Sequence, residues 1–399
     1  MGSKILNFFK RLSVTQKVIL CILAFLVTGY IFCLPRHLFH VPYSTVVTDR
    51  NEELLGARIA SDGQWRFPPR NTTPEKIKEC LITFEDKHFY HHWGVNPFAI
   101  GRAFYQNVKN KRIVSGGSTL TMQTIRLARN ESRTFREKLI EMIWATRLEF
   151  RASKEEILSM YISHAPFGGN VVGLDAAAWR YFGHSADDLS WAESAMLAVL
   201  PNAPAMIHLS KGRKTLLDKR NRLLKQLLEK KTIDSSTYEL AISEPLPDEP
   251  HALPQIAPYL VSRFYQERNG EYSRSTINKG IQTQVEDLAE RWSNEFGRSD
   301  IRNLAILVID IPSNKWWHTA ATSISTGNKE EIKWTSFRLR EVRAVFSNLS
   351  YITQCYKKEV YCRICCCRTY PSISTDLRHR ISVCSSKELF PLRKLSRVH

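Results

Sequence analysis

Glu85-Asp86 opens the run EDKHFYHHWG at 85–94, in which two adjacent carboxylates precede aromatic side chains, three histidines and a glycine. A second run, GGSTLTMQ at 116–123, is a glycine-containing, hydroxyl-rich segment. Arg126, Arg129, Arg133, Arg136 and Lys138 then follow within 13 residues, and Glu141 comes three positions after Lys138. These types in this order suit group transfer from an anionic leaving group. A carboxylate next to a second acid, partly buried, serves as a base near neutral pH. Backbone N–H groups of Gly116-Gly117 and the hydroxyls of Ser118 and Thr119 can meet phosphate or sugar oxygens. Fixed cations stabilise charge as it develops on a departing group. Each piece also has a plain reading. Glu85-Asp86 alone reads first as a solvated pair at a helix end, and only the downstream segments reverse that; Gly-Gly-Ser-Thr alone reads as ordinary loop. At least two of the five cations are expected on a solvated face. Glu141 could hold Lys138, contact a sugar, or form an i,i+3 surface ion pair.

The elements that must position these groups are mostly helical. From Thr73 to about Leu228 the apolar residues recur with helical spacing. Thr73-Pro74-Glu75 reads as a helix start with Thr73 as cap. Ser153-Lys154-Glu155-Glu156 and Ser190-Trp191-Ala192-Glu193 match the reciprocal cap pattern. Leu139, Ile140, Ile143, Trp144 and Leu148 define an apolar stripe, with Lys138 and Glu141 on the other side of that helix. Residues 35–70 read as extended, with a strand over Tyr43–Thr48. Five prolines between 245 and 258 mark a linker. A short strand at Ser275–Ile277, a helix over Gln282–Trp292 and a buried strand over Asn303–Asp310 follow.

Before the helical region, Val18–Leu34 is a run of 17 residues without a charge. As a helix it extends about 25 Å, a little short of a ~30 Å hydrocarbon core. Lys4, Lys10, Arg11 and Lys17 precede it and hold that end in the cytoplasm. A cleaved signal peptide is the alternative, but no small-x-small site follows the run. The expectation is an uncleaved anchor.

The net charge of +18 suggests an anionic partner. It is concentrated at the end: residues 311–399 hold 16 Lys or Arg against 6 Asp or Glu. No helix-turn-helix or RNA-binding signature accompanies the charge, so nucleic acid is not an expected partner. Of the nine cysteines, six lie between 355 and 384, and only Cys80 falls in the soluble body before them. That body has no disulfide framework. Past about Lys315 periodicity fades. Cys362-x-x-Cys365 could be half of a zinc site, or the segment could be what an altered reading frame produces.

Five segments in order, 85–94, 116–123, RTFREKLIE at 133–141, KEEILSMYISHAPFGGN at 154–170, and Tyr181-Phe182-Gly183 through LSWAESAMLAVLPNAP at 189–204, resemble the family 51 peptidoglycan glycosyltransferases. Over about residues 40–310 the chain is similar to the 1C branch of class A penicillin-binding proteins. The resemblance implies a mainly α, lysozyme-like glycosyltransferase domain after a single transmembrane helix. It implies polymerisation of lipid II into β-1,4-linked glycan strands with release of undecaprenyl pyrophosphate. Glu85 would be the general base on the acceptor 4-hydroxyl and Glu141 the second essential acid. Lys138 with neighbouring basic residues would hold the donor pyrophosphate, and Asp86, His92, Ser118, Thr119, Gln123, Arg129 and Arg133 would complete the substrate site. A magnesium or manganese ion near the pyrophosphate is also implied, although no metal-ligand cluster stands out in the sequence. The partners would be lipid II, the growing glycan strand, the bacterial inner membrane and other cell-wall synthesis proteins, with the catalytic domain on the periplasmic side. Two positions depart from the family pattern: Met122-Gln123 for Gln-Gln, and Tyr161-Ile162-Ser163 for Tyr-Leu-Asn.

The expected organisation is a cytoplasmic basic segment at 1–17, an anchor at 18–34, a glycosyltransferase domain at 40–243, a linker and the start of a transpeptidase domain at 244–310, and a tail at 311–399. A transpeptidase needs a serine in Ser-x-x-Lys and a Lys-Thr-Gly strand. Neither pattern occurs in the 399 residues, as a truncated or frameshifted product would show. Two other functions compete. A lytic glycosidase also uses two carboxylates, but the cations between Glu85 and Glu141 favour a pyrophosphate donor. A membrane-anchored scaffold without activity is the second. The missing serine and lysine motifs predict that a fluorescent penicillin does not label this chain covalently. A band that survives boiling and is competed away by unlabelled penicillin would contradict that.

Overall fold

The structure is a computed structural model describing residues 13–110, 116–202, 212–297, 303–309, 361–367 and 390–391, with side chains as far as residue 291. The described chain is mainly helical and divides into two compact units: residues 1–44 with 59–253, and residues 45–58 with 254–399.

The first unit begins with α1, Val14–Phe32. Ser13 accepts from Gln16 N, and the Gln16 side chain accepts from Ser13 N, so the helix starts four residues before the uncharged run. Its 19 residues extend about 28 Å, closer to a hydrocarbon core than the sequence reading allowed. Mean hydropathy over its best window is 1.9, and none of its residues is buried. It is long and apolar enough to cross a membrane.

The helices that follow are α2, Glu75–Glu85; α3, Pro97–Lys109; α4, Leu120–Arg129; α5, Phe135–Glu149; α6, Lys154–His164; α7, Leu174–Tyr181; α8, Trp191–Val199; α9, Arg213–Glu229; and α10, Ser235–Ser243. Both expected reciprocal caps are present, at Ser153 and Ser190. The expected cap at Thr73 is not. Pro74 occupies the cap position with no side-chain bond, and Thr73 Oγ1 is buried without a partner. The core of this unit is built from α2, α4, α6 and α8. Ile77, Leu81, Ile125, Ile157, Ile162 and Leu197 are all at most 1% exposed. A small sheet, β3 (Trp65–Arg66), β5 (Val171–Val172) and β4 (Pro166–Gly168) in that order, flanks them.

α5 differs from its sequence reading. It buries Glu141, Ala145 and Leu148, whereas Leu139 and Ile143 are 43% and 50% exposed. The face with the carboxylate turns inward because a cation on α4 meets it there. Of the apolar stripe, Leu148 is buried, while Leu139 and Ile143 are left outward, with Ile143 beside α1.

The second unit holds a sheet ordered β2 (Leu54–Arg58), β1 (Thr45–Thr48), β6 (Tyr272–Arg274), with β1 antiparallel to β2 and parallel to β6. Thus residues 45–58, which precede the helical domain in sequence, form their sheet with residues from beyond the proline-rich segment. Val47, Leu55, Ala257, Val261 and Ile277 make the apolar core. α11, Pro258–Glu267, packs so close that a Cβ at Gly56 would lie 2.9 Å from Val261 Cγ2. α12 runs over Lys279–Gly297. β6 sits just before the Ser275–Ile277 stretch where the sequence pattern places a strand. β7, Asn303–Ile309, pairs antiparallel with β8, Tyr361–Cys367, which in turn pairs with β9, Phe390–Pro391. Cys362 and Cys365 lie on β8, beyond the described side chains.

Candidate active site

Glu85 is the last residue of α2, and Gln123 Nε2 donates to its Oε2 at 2.8 Å. Gln123 Oε1 in turn accepts from the Tyr161 hydroxyl at 3.4 Å. Tyr161 is buried on α6. Burial first, and the negative charge of Glu85 second, push its phenol well above the usual range. Gln123, itself held by Tyr161, thus helps to orient Glu85.

Asp86 turns the other way. Its side chain is buried and its Oδ2 accepts from His92 Nε2 at 2.9 Å and from Leu120 N at 3.1 Å. Leu120 is the first residue of α4. A buried carboxylate therefore sits where the helix dipole and its unpaired N–H groups favour negative charge. Thr119 completes the junction, accepting from Met122 N and donating to Gly94 O at 2.5 Å. Gly94 has φ +81°, and a Cβ there would lie 2.6 Å from the Ala145 carbonyl group on α5. Gly117 approaches α3 as closely: its Cβ would be 2.8 Å from Ile100 Cα. The two glycines let both motif loops close on their supporting helices, while Gly116 has open space.

The second carboxylate carries the next cluster. Arg126, one turn after Gln123, forms a two-pronged pair with buried Glu141, Nε to Oε1 at 2.8 Å and Nη2 to Oε2 at 2.9 Å. The same Nη2 reaches Ser118 Oγ at 3.1 Å, and Lys138 Nζ donates to that oxygen at 2.6 Å. Burial lowers the Lys138 pKa from its ordinary value, and the charges of Arg126 and Arg133 add to that, against a raising effect of Glu141. The hydrogen bond to Glu141 raises Arg126 instead. Two cations, Arg126 and Lys138, thus meet one acid in this pocket, an excess of positive charge suited to an anion.

The expected site residues separate into three groups. Glu85, Gln123, Ser118, Lys138 and Glu141 form one linked set with Arg126 and Tyr161. Asp86, His92 and Thr119 are buried among protein partners and hold α4 in place. Arg129 pairs with Glu137 and lies 4.6 Å over the Trp144 ring, while Arg133 is exposed. Glu141 pairs with Arg126, not with its i−3 neighbour Lys138. Arg126 is the central residue that the sequence did not separate from four other cations. Its spacing of three from Gln123 was the available signal. Of the two departures, Met122 is fully buried in the core. Ser163 is buried with its Oγ unpartnered.

Residues 52–228 match the family model described as Transglycosylase. The chain is 36% identical over 279 residues to penicillin-binding protein 1C of Escherichia coli, covering 69% of this chain and 36% of that protein. It is 38% identical over 177 residues to penicillin-binding protein 1A of Aquifex aeolicus, covering 43% and 24%. Against penicillin-binding protein 1A of Pseudomonas aeruginosa the identity is 33% over 231 residues, covering 56% and 28%. Residues 52–228 therefore belong to the transglycosylase family, and the chain is a homologue of penicillin-binding proteins 1C and 1A. It spans about a third or less of the length of these relatives.

The Gly94 geometry yields a test of this junction. Gly94→Ala puts a side chain in left-handed backbone and against the Ala145 carbonyl. The expected cost is about 2–4 kcal/mol, read as a lower urea midpoint. Gly116→Ala, with open space around it, should leave the midpoint unchanged.

Proposed function

We propose that the chain is a peptidoglycan glycosyltransferase that polymerises lipid II at the membrane surface, with Glu85 as general base. The observation that carries this reading is the cation-rich pocket around Ser118, tied through one face of α4 to a separate carboxylate. The acceptor 4-hydroxyl loses its proton to Glu85 as its oxygen bonds to the donor anomeric carbon. The bond from that carbon to the pyrophosphate oxygen breaks, and the electron pair leaves with undecaprenyl pyrophosphate. Lys138, Arg126 and the Ser118 hydroxyl face the growing charge on the leaving group. Attack opposite the leaving group inverts an α-linked donor to a β-1,4 product. A hydrolase needs no such cationic pocket, which sets this reading above a lytic glycosidase.

The membrane supplies the substrate's lipid. α1 serves as the anchor, and its preceding cations place that end in the cytoplasm, leaving the catalytic unit on the periplasmic side of the inner membrane. Phe98, Phe104, Tyr105 and Val108 on α3 are all more than half exposed. Such a patch suits contact with acyl chains. Other cell-wall synthesis proteins fit as partners of an anchored polymerase.

A divalent cation is a separate question of fit. At the pyrophosphate pocket the chain offers two cations and one carboxylate, Glu141, already held by Arg126. Among the described residues no group of three His, Cys, Asp or Glu stands together. This donor set does not fit a metal held by the protein.

With purified lipid II, Glu85→Gln should lower turnover by about 10²–10⁴-fold, the usual loss for a general base, with the melting temperature retained. Near-normal turnover by the folded variant would refute the assignment. Lys138→Ala should also reduce turnover strongly, because it removes a cation at the leaving group without disturbing the Arg126–Glu141 pair. Wild-type rates would make Lys138 a surface charge only.

A further inference from the structure

Between α1 and α5 lies an apolar groove of about 390 Å³. Phe25, Leu26, Gly29 and Tyr30 line it from α1, and Ile143 and Thr146 from α5. The Tyr30 hydroxyl donates to Thr146 Oγ1 at 3.2 Å and ties the two helices together. Gly29 leaves space, since a Cβ there would meet nothing within 4 Å.

Two guanidiniums stand at the end of the groove where the chain leaves α1. Arg147 Nε donates to Ile31 O at 3.1 Å, and Arg151 Nη1 donates to Pro35 O. The nearby carboxylates on α5 are engaged elsewhere: Glu137 by Arg129, Glu141 by Arg126, Glu149 by Lys154. Among the described residues neither Arg147 nor Arg151 pairs with an acid. Each keeps several unused N–H donors. Arg151 is held below the usual guanidinium value by partial burial and then by the charge of Arg147. Next to Arg151, the exposed Phe150 meets the exposed Trp93 edge-to-face at 5.4 Å. Tryptophan favours headgroup depth. With α1 across a membrane, the groove would lie at acyl-chain depth and the arginine pair at phosphate depth.

We propose that this groove binds one anionic glycerophospholipid, with an acyl chain between α1 and α5 and its phosphate on Arg147 and Arg151. The inference rests on α1 spanning a membrane. Inside a bilayer an acyl chain gains little by leaving other acyl chains, so the arginine pair provides the selectivity. A zwitterionic lipid brings its own cation to the same place and fits less well. The bound lipid would fill the space between the anchor and the helix that carries Lys138 and Glu141, and so brace that helix.

The test is native mass spectrometry of the full chain in detergent, with phosphatidylglycerol and phosphatidylcholine of identical acyl chains. One phosphatidylglycerol should be retained, with about ten-fold preference over phosphatidylcholine, as loss of charge-assisted hydrogen bonds implies. Arg147→Gln with Arg151→Gln should abolish that preference, and the corresponding pair of lysine substitutions should keep it. Gly29→Leu, which fills the groove and leaves the arginines in place, should weaken both lipids alike. Equal retention of the two lipids by the wild-type chain, or phosphatidylglycerol binding unchanged in Gly29→Leu, would overturn the proposal. Alkaline extraction of membranes separates the two readings. A wild-type chain that resists extraction yet shows no lipid preference refutes this inference alone. A chain that is extracted refutes the membrane reading as well.

Discussion

The carboxylate of Asp86 at the N-terminus of α4 is the constraint from which the site follows. It is buried, it takes the first N–H of the helix, and it is shared with His92. Charge at that place is favoured by the helix dipole, and burial makes its loss expensive. Because α4 is pinned there, Gln123 and Arg126 emerge one turn apart along one face. Gln123 then meets Glu85 on α2, and Arg126 meets Glu141 on α5. The two candidate catalytic acids lie far apart in sequence and on different helices. They are placed relative to one another by a third helix that carries neither.

The adjacency of Glu85 and Asp86 also acquires a physical meaning. The two carboxylates have opposite duties because the chain leaves the helix between them. Asp86 adopts φ −153°, ψ 79°, which turns its side chain inward. Glu85 remains on the helix, where the Gln123 amide donates to it.

α5 shows how charge and apolar surface can exchange their usual places. Its buried face carries Glu141, matched by the fork of Arg126, whose planar geometry suits a carboxylate. Two residues of its apolar stripe, Leu139 and Ile143, stay outside, and Ile143 lines the groove beside α1. In a protein surrounded only by water this arrangement would be unfavourable. Beside α1, a helix long and apolar enough to cross a membrane, such a surface is consistent with contact with hydrocarbon. α3 repeats the theme with Phe98 at 90% exposure.

Local chemistry was legible in the chain itself. The reciprocal caps at Ser153 and Ser190, the apolar N-terminal helix, the helical character of the described residues between Glu75 and Glu229 and the identity of the motif residues all depend on neighbours within four positions. So did the run of cations after Gly117. What depended on distant residues was not legible. Nothing near Thr73 shows that its hydroxyl fails to cap, and nothing in the periodicity of α5 shows that Glu141 is the inward residue. That outcome requires Arg126, fifteen positions earlier on another helix, to neutralise it. Strand β1 pairs with β6, more than two hundred positions later, where no local pattern points. Sequence determined which side chains were available for transfer chemistry. Tertiary structure decided which became anchors and which became reactive, because burial and pairing are properties of the packed helices and not of any single segment.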